Sequence, residues 1–211
     1  MEISLMRNGA DSIKHAHLSI EKLDTLIDGI DHNLKDAVIF LNHGIEILLK
    51  VMLAERSAAL MFSSIKDYQK AKEDLKASSK QDVFEVNPNL QTVSLREALA
   101  RIEYLCDVEI EDTMKSAVFE LNFIRNKLMH FSLTLDQEDL DKFIDKLKFC
   151  YTISCDFFEK HIDGIGELID KARYEYSMED FRQEGMKYQT NEWWEEQRKS
   201  WYGISSDIKI K

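Results

Sequence analysis

The chain has 211 residues, 44% of them hydrophobic and 32% charged, a balance that reads as soluble and globular and suits one domain with a substantial core, or one domain plus an appendage. Twenty-eight basic against thirty-nine acidic residues leave a formal charge of −11. That excludes a protein that coats nucleic acid through a broad basic face, but not an enzyme that touches a few phosphates inside a small cleft.

One proline and seven glycines leave few places to break a helix, so long helices are expected rather than a sandwich of short strands. Met1 to His17 lacks the apolar run of a signal peptide, and a cytoplasmic protein is expected. Residues 10–29 carry Ile13, Leu18, Ile20, Leu23, Leu26 and Ile27 at helical spacing, with Gly29 placed to end or bend that first helix. Residues 31–56 form the strongest helix prediction. Asp31 or Asn33 can cap it, and Leu34, Val38, Leu41, Ile45, Leu48, Leu49 and Met52 recur on one face. Its apolar stretch Ile45–Leu53 is interrupted by Glu46 and Lys50, so no membrane span is expected.

Residues 57–92 read as a long loop with helical pieces, the place for variation or substrate contact. Lys66–Lys80 is polar and basic, and Asn87-Pro88-Asn89 is the clearest breaker in the chain. Ser94-Leu95-Arg96-Glu97 is a capping-box signature opening a short helix to about Leu105. A helix over 110–133 follows, then a further one from a cap at Asp136 to about His161, with a break at Gly164 and Gly166. The remaining chain carries one short helix and one polar helix near 178–200, rich in aromatics: Tyr174, Tyr176, Tyr188, Trp193, Trp194, Trp201 and Tyr202. Glu195 and Glu196 follow the tryptophan pair. Basic residues would suit base stacking better, so packing against the bundle or a partner subunit is expected. The predicted organisation is a helical bundle over 1–162 and a helical, aromatic-rich extension over 163–211. Cys106, Cys150 and Cys155 lie in apolar helical contexts without a CxxC pair and read as buried free thiols.

Helix 110–133 carries the most informative residues. At about 100° per residue, Ile110, Met114, Ala117, Leu121, Ile124 and Leu128 share one core face. Phe119, Phe123, Asn126 and His130 form a second stripe, in which Asn126 and His130 are neighbours. Two aromatics beside an Asn and a His predict a second buried surface, such as a dimer contact lined with a few polar groups. The long side chain of Arg125 can bring its head group to that stripe while its stem packs on the core.

Arg and His together suit RNA cleavage. The 2′-hydroxyl loses a proton as it attacks the adjacent phosphate, and the 5′-oxygen gains one as it leaves. Histidine serves either role near neutral pH. A guanidinium meets the extra negative charge of the phosphorane-like transition state with a planar fork of donors. The nucleophile belongs to the substrate, so the chemistry needs neither metal nor cofactor.

The segment Leu121-Asn122-Phe123-Ile124-Arg125-Asn126-Lys127-Leu128-Met129-His130-Phe131 resembles the signature of the HEPN superfamily: Arg, a polar residue often Asn, variable positions, then His, late in a long helix. Leu41-Asn42-His43-Gly44-Ile45-Glu46-Ile47-Leu48-Leu49-Lys50 resembles the upstream family helix that packs on the motif helix. The resemblance covers roughly residues 31–160. It implies an all-α, up-and-down bundle of four or five helices, dimerising so that two motifs face one cleft, and in many members a ribonuclease of toxin–antitoxin, phage-defence or RNA-processing systems. Carried onto this chain, it makes Arg125 the phosphate-binding residue, His130 the acid or base, and Asn126 the residue that orients His130 or the substrate. Lys127 joins them as a substrate-binding position, and a cognate antitoxin is an implied partner. On helix 31–56, Glu46 could hold Arg125 or orient His130, with Lys50 beside it; the alternative is a Glu46–Lys50 surface ion pair of little weight. His43-x-x-Glu46 runs opposite to the order of diiron bundles and has no second copy, so no metal site is expected. Two other functions stand beside the ribonuclease: a non-catalytic HEPN module binding nucleotide, RNA or a partner protein, as the acidic charge favours, and a purely structural helical dimer.

Overall fold

A computed structural model describes residues 3–175 and 177–203, without the side chains of 185, 187–191 and 197–203. Among the described residues the chain is all-α. Nine α-helices and one 3-10 turn form it, and the one β-pairing is an isolated antiparallel bridge between Phe62 and Thr92. Two compact units are present, Met1–Arg173 and Tyr174–Lys211.

The first unit is built on a helical hairpin. Helix α1 (Leu5–Leu23) starts earlier than its apolar periodicity indicated, because Ser4 caps it by accepting the Arg7 N–H at 3.3 Å. It also stops before the expected end. Asp24 closes it, and Gly29, at φ +80°, lies in the left-handed region as the residue ahead of α2 (Ile30–Arg56). Small residues let the two helices approach closely. A Cβ on Gly44 would stand 2.7 Å from Ile13 Cδ1 and 3.0 Å from the Ile13 backbone nitrogen. The same construction on Gly9 meets Leu48 Cδ2 at 2.6 Å, so α1 and α2 run antiparallel with Ile13 seated over Gly44.

Helix α2 is the centre of the core. Leu41, Ile45, Leu48, Leu49 and Leu53 are fully buried, and the helix meets α1, α5, α6 and α7. It is long and apolar enough to cross a membrane, with a mean hydropathy of 1.7 over its best window, of which 67% is buried inside the protein. Its apolar character matches its place at the middle of a bundle, where most of the helix has a neighbour and Lys35 and His43 mark the exposed side.

The region expected as a long loop with helical pieces holds three such pieces among the described residues, the longest over most of Lys66–Lys80. That piece is α3 (Ile65–Lys76), capped by Ser64, which accepts the Asp67 N–H at 3.2 Å. The 3-10 turn Ala58–Met61 precedes it and the single-turn α4 (Val83–Val86) follows. Phe62, Ala71 and Leu90 form a small second core beneath these pieces. Arg101 of α5 (Leu95–Leu105) fastens the region by donating from Nη1 to the Leu60 and Phe62 carbonyls at 2.9 and 2.8 Å. The predicted capping box of α5 is one-sided. Ser94 accepts the Glu97 N–H at 3.3 Å, but the Glu97 carboxylate turns away to accept from Arg101 Nε at 2.9 Å.

Helices α6 (Asp112–His130) and α7 (Gln137–His161) follow, the latter capped by Asp136, which accepts the Asp139 N–H at 2.9 Å. Helix α8 (Ile165–Lys171) begins after Gly164, at φ +74°. Ile165 and Ile169 are buried in the main core, so the first unit runs past residue 162, the boundary expected from the Gly164 and Gly166 break, to Arg173. Cys150 is buried and its thiol is pushed up to about 12 by desolvation. Cys155 and Cys106 are only partly buried, a difference from the expectation of three buried thiols, and desolvation raises both, Cys155 to about 11.

The second unit contains α9 (Met178–Gly203). Ser177 and Asp180 cap it reciprocally: Ser177 N–H donates to Asp180 Oδ2 at 2.8 Å and Asp180 N–H to Ser177 Oγ at 3.1 Å. Trp193 and Trp194 meet edge to face at 4.9 Å and are exposed. Tyr176 and the side chains of Tyr188, Trp201 and Tyr202 lie outside the described residues.

Candidate functional site

Helix α6 divides into two halves with different surroundings. Its first half is anchored in the core by Met114, Val118 and Leu121, all buried. Val118 was not on the predicted core face. Ile124 and Leu128 were, but are only partly buried, because the last turns of α6 rise out of the bundle. The helix ends at His130, where Phe131 N–H donates to the Lys127 carbonyl at 2.8 Å. Lys127 and His130 stand in this final turn, at the negative pole of the helix dipole, which favours basic side chains.

The stripe predicted to be a second buried surface is open to solvent in the single chain. Phe123 is 62% exposed, Asn126 and His130 are exposed, and Met129 and Phe131 on either side of them are 56% and 79% exposed. Phe119 alone is partly covered, by the Arg96 guanidinium 4.3 Å from its ring centre. Arg125 is half-buried and its Nη1 donates to Asn126 Oδ1 at 2.9 Å. The bond ties the guanidinium to the stripe, one helical turn from His130. The residues expected to act together are therefore adjacent on the closing turns of one helix.

Glu46 and Lys50 do not join them. Lys50 Nζ donates to Glu46 Oε1 at 2.7 Å and to Thr92 Oγ1 at 3.0 Å. Neither hydrogen-bonds Arg125 or His130. The role expected for Glu46, holding Arg125, falls to Asn126 instead. The pair is also not a surface pair: Lys50 is 7% exposed, which removes it from the residues a substrate can reach. Its position is explained by the chain that crosses it. The amine ties the C-terminal third of α2 to the segment preceding α5, and a buried ammonium needs such partners.

Two concavities lie on another face. One, of about 420 Å³, sits between α6 and α7 and is lined by Ala117, Leu121, Phe143, Leu147, Phe149 and Cys150 among others. The second, of about 510 Å³, is lined by Met114, Ile153, Phe157 and His161 and shares Phe149. Neither is lined by Arg125, Asn126 or His130. In one chain the motif stands on a protruding helix end, where a cleft requires a second surface.

Arg96, part of the capping signature of α5 in the sequence, is a further residue of this face. The signal that could have found it is the charge distribution. Residues 121–135 are the longest stretch of the chain without an Asp or Glu, and 86–96, ending at Arg96, is among the next longest. Among the described residues, Arg96, Arg125 and Lys127 have no carboxylate partner, whereas Lys115, a turn before Phe119, is neutralised by Glu103 at 2.6 Å and Asp112 at 3.2 Å. The carboxylate of α6 that borders this stripe, Glu120, is taken up by Lys146 Nζ at 2.6 Å, so the acidic chain leaves the cations beside the aromatic stripe unpaired. No group of three or more His, Cys, Asp and Glu side chains is placed to hold a metal ion among the described residues. No protein-family model matches the sequence, and no curated protein or solved structure shows significant similarity to it.

Proposed function

We propose that this chain is an up-and-down helical bundle of HEPN type and a metal-independent endoribonuclease, working in the cytoplasm as a homodimer with RNA bound in a cleft between two copies of α6. The observation that carries the reading is the Arg125–Asn126 hydrogen bond one turn from an exposed His130, on a segment without carboxylates. Arg125 and Lys127 bind the scissile phosphate and the charge that builds on it. His130 of one copy takes the proton of the 2′-hydroxyl as its oxygen bonds to phosphorus, and the 5′-oxygen leaves with a proton from the other copy's histidine. Asn126 fixes the guanidinium. Met129 and Phe131, exposed on either side of the stripe, are the apolar surface a second copy would cover. The protein would then serve in a toxin–antitoxin or phage-defence system, with a cognate antitoxin as partner.

Purified protein incubated with RNA and a chelator is expected to leave 2′,3′-cyclic phosphate and 5′-hydroxyl ends, resolved by mass spectrometry of the fragments. Fragments ending in 3′-hydroxyl and 5′-phosphate would rule out attack by the 2′-oxygen. The net charge of −11 supports a second reading, a non-catalytic HEPN module that binds nucleotide, RNA or a partner protein through the same stripe. It predicts binding without cleavage.

A further inference from the structure

Resting on the ribonuclease reading, we infer that the substrate is single-stranded RNA, with Phe123 as the stacking platform for a base and Arg96, seated on the Phe119 ring, as the clamp for a phosphate beyond it. Phe119, Phe123, Asn126 and His130 follow one another along a single line of α6. Phe123 stands about 10 Å along the axis from His130 and Phe119 about 6 Å further on. The order along the line is therefore cation over aromatic, open aromatic, polar pair, histidine.

Each position suits one part of a single strand. Phe123 is exposed, and Glu120, the acidic residue one turn before it, is neutralised by Lys146 at 2.6 Å, so the ring offers a π-surface to a base of any identity. Arg96 is exposed, has no carboxylate partner among the described residues, and holds its guanidinium carbon 4.3 Å from the Phe119 ring centre, a contact with the π-face that leaves its N–H donors for a phosphate. Charge complementarity favours a nucleic-acid strand over an acid-free but otherwise neutral partner. The stretch 121–135 carries Arg125, Lys127 and His130 with no Asp or Glu, in a chain that is otherwise strongly acidic. The line ends where Glu103, Lys115 and Asp112 close into an ion-paired cluster, so the track has a boundary on the α5 side. A duplex keeps its bases stacked inside and cannot offer one to Phe123, which is the source of the strand preference.

The test is fluorescence anisotropy of a labelled mixed-sequence single-stranded RNA and of its duplex, with the full chain carrying His130→Ala so that no substrate is consumed. The single strand is expected to bind more tightly than the duplex. Adding Phe123→Ala weakens single-strand binding about ten- to a hundredfold, while Phe123→Trp preserves it and shows quenched tryptophan emission on binding. Arg96→Gln weakens binding and lowers the salt slope by about 0.7, the loss of one phosphate contact. Both side chains are exposed, so circular dichroism should be unchanged. Equal affinity for duplex and single strand, or an affinity indifferent to Phe123→Ala and Arg96→Gln, overturns the track. If cleavage by the parent protein depends on His130 while these variants bind as before, only the track fails. If RNA is bound through Phe123 but never cut, the ribonuclease reading fails and the track stands.

Discussion

Replacing Gly44 by alanine separates two opposing effects. In a helix interior alanine is favoured over glycine by about 1 kcal/mol, because the unfolded glycine has more conformational freedom to lose. At Gly44 the added methyl would stand 2.7 and 2.8 Å from the end of the Ile13 side chain and 3.0 Å from the Ile13 backbone nitrogen. The side chain could turn aside, but the nitrogen is part of α1, and the whole helix must shift to make room. Overpacking of that kind costs about 1–3 kcal/mol, and the rigid contact places this site in the upper part of the range. The net expectation is a destabilisation of about 1–2 kcal/mol, or roughly 2–8 °C in Tm for a chain of this size. Urea melts followed by circular dichroism measure it. Ile13→Val, which removes Cδ1, should cost about 0.5–1.5 kcal/mol alone and less in the Gly44→Ala background. A Gly44→Ala protein more stable than the parent by the full helix-propensity gain would refute the close approach of α1 and α2.

Lys50→Met, which keeps the length of the buried stem but leaves Glu46 and Thr92 without their donor, is expected to cost about 1–3 kcal/mol in urea melts. The folded variant should cleave RNA with unchanged KM, and a raised KM would return Lys50 to the substrate site. His15 stacks on Phe40 at 3.8 Å, and burial, with Arg173 nearby, holds its ring below the usual histidine range against the opposing pull of Asp36 and Asp11. The unfolded chain therefore takes up the proton first. The stability is full above about pH 6.5 and is lost as pH falls through that value toward the folded one. His15→Phe should flatten the loss between pH 7.5 and 5.5, and an identical slope in both proteins would contradict it. Burial pushes the Cys150 thiol up to about 12 and Cys155 to about 11, so neither should react quickly with a disulfide reagent at pH 8 until urea unfolds the chain.

The legible parts of the fold were those set by local chemistry. Ser94 and Asp136 announce helix starts, and the apolar face of residues 31–56 marks a central helix, because caps and helical periodicity act within a few residues. Residues 57–92 read as a long loop with helical pieces, and the length of the piece within Lys66–Lys80 was not legible. Its apolar stripe, Tyr68, Ala71 and Leu75, is short and set among lysines, and of the helix's residues only Ala71 is fully buried. The candidate site was legible in the same uneven way. The adjacency of Asn126 and His130 follows from helical spacing, but the exposure of their stripe does not, since periodicity cannot say how far a helix rises out of its bundle. The Glu46–Lys50 pair follows from i, i+4 spacing, but its burial does not, because the second partner of Lys50, Thr92, is distant in sequence. Arg96 met Phe119 across two helices, a contact that only the fold creates.

The central claim is that Arg125 and His130 carry out RNA cleavage together. Single-turnover cleavage of an end-labelled single-stranded RNA by the parent protein, His130→Ala and Arg125→Ala, in the presence of a chelator, tests it most directly. Both variants should lose about 10²- to 10⁴-fold in rate, the scale of a lost acid–base group, with unchanged circular dichroism. Equal rates for parent and His130→Ala would contradict the account.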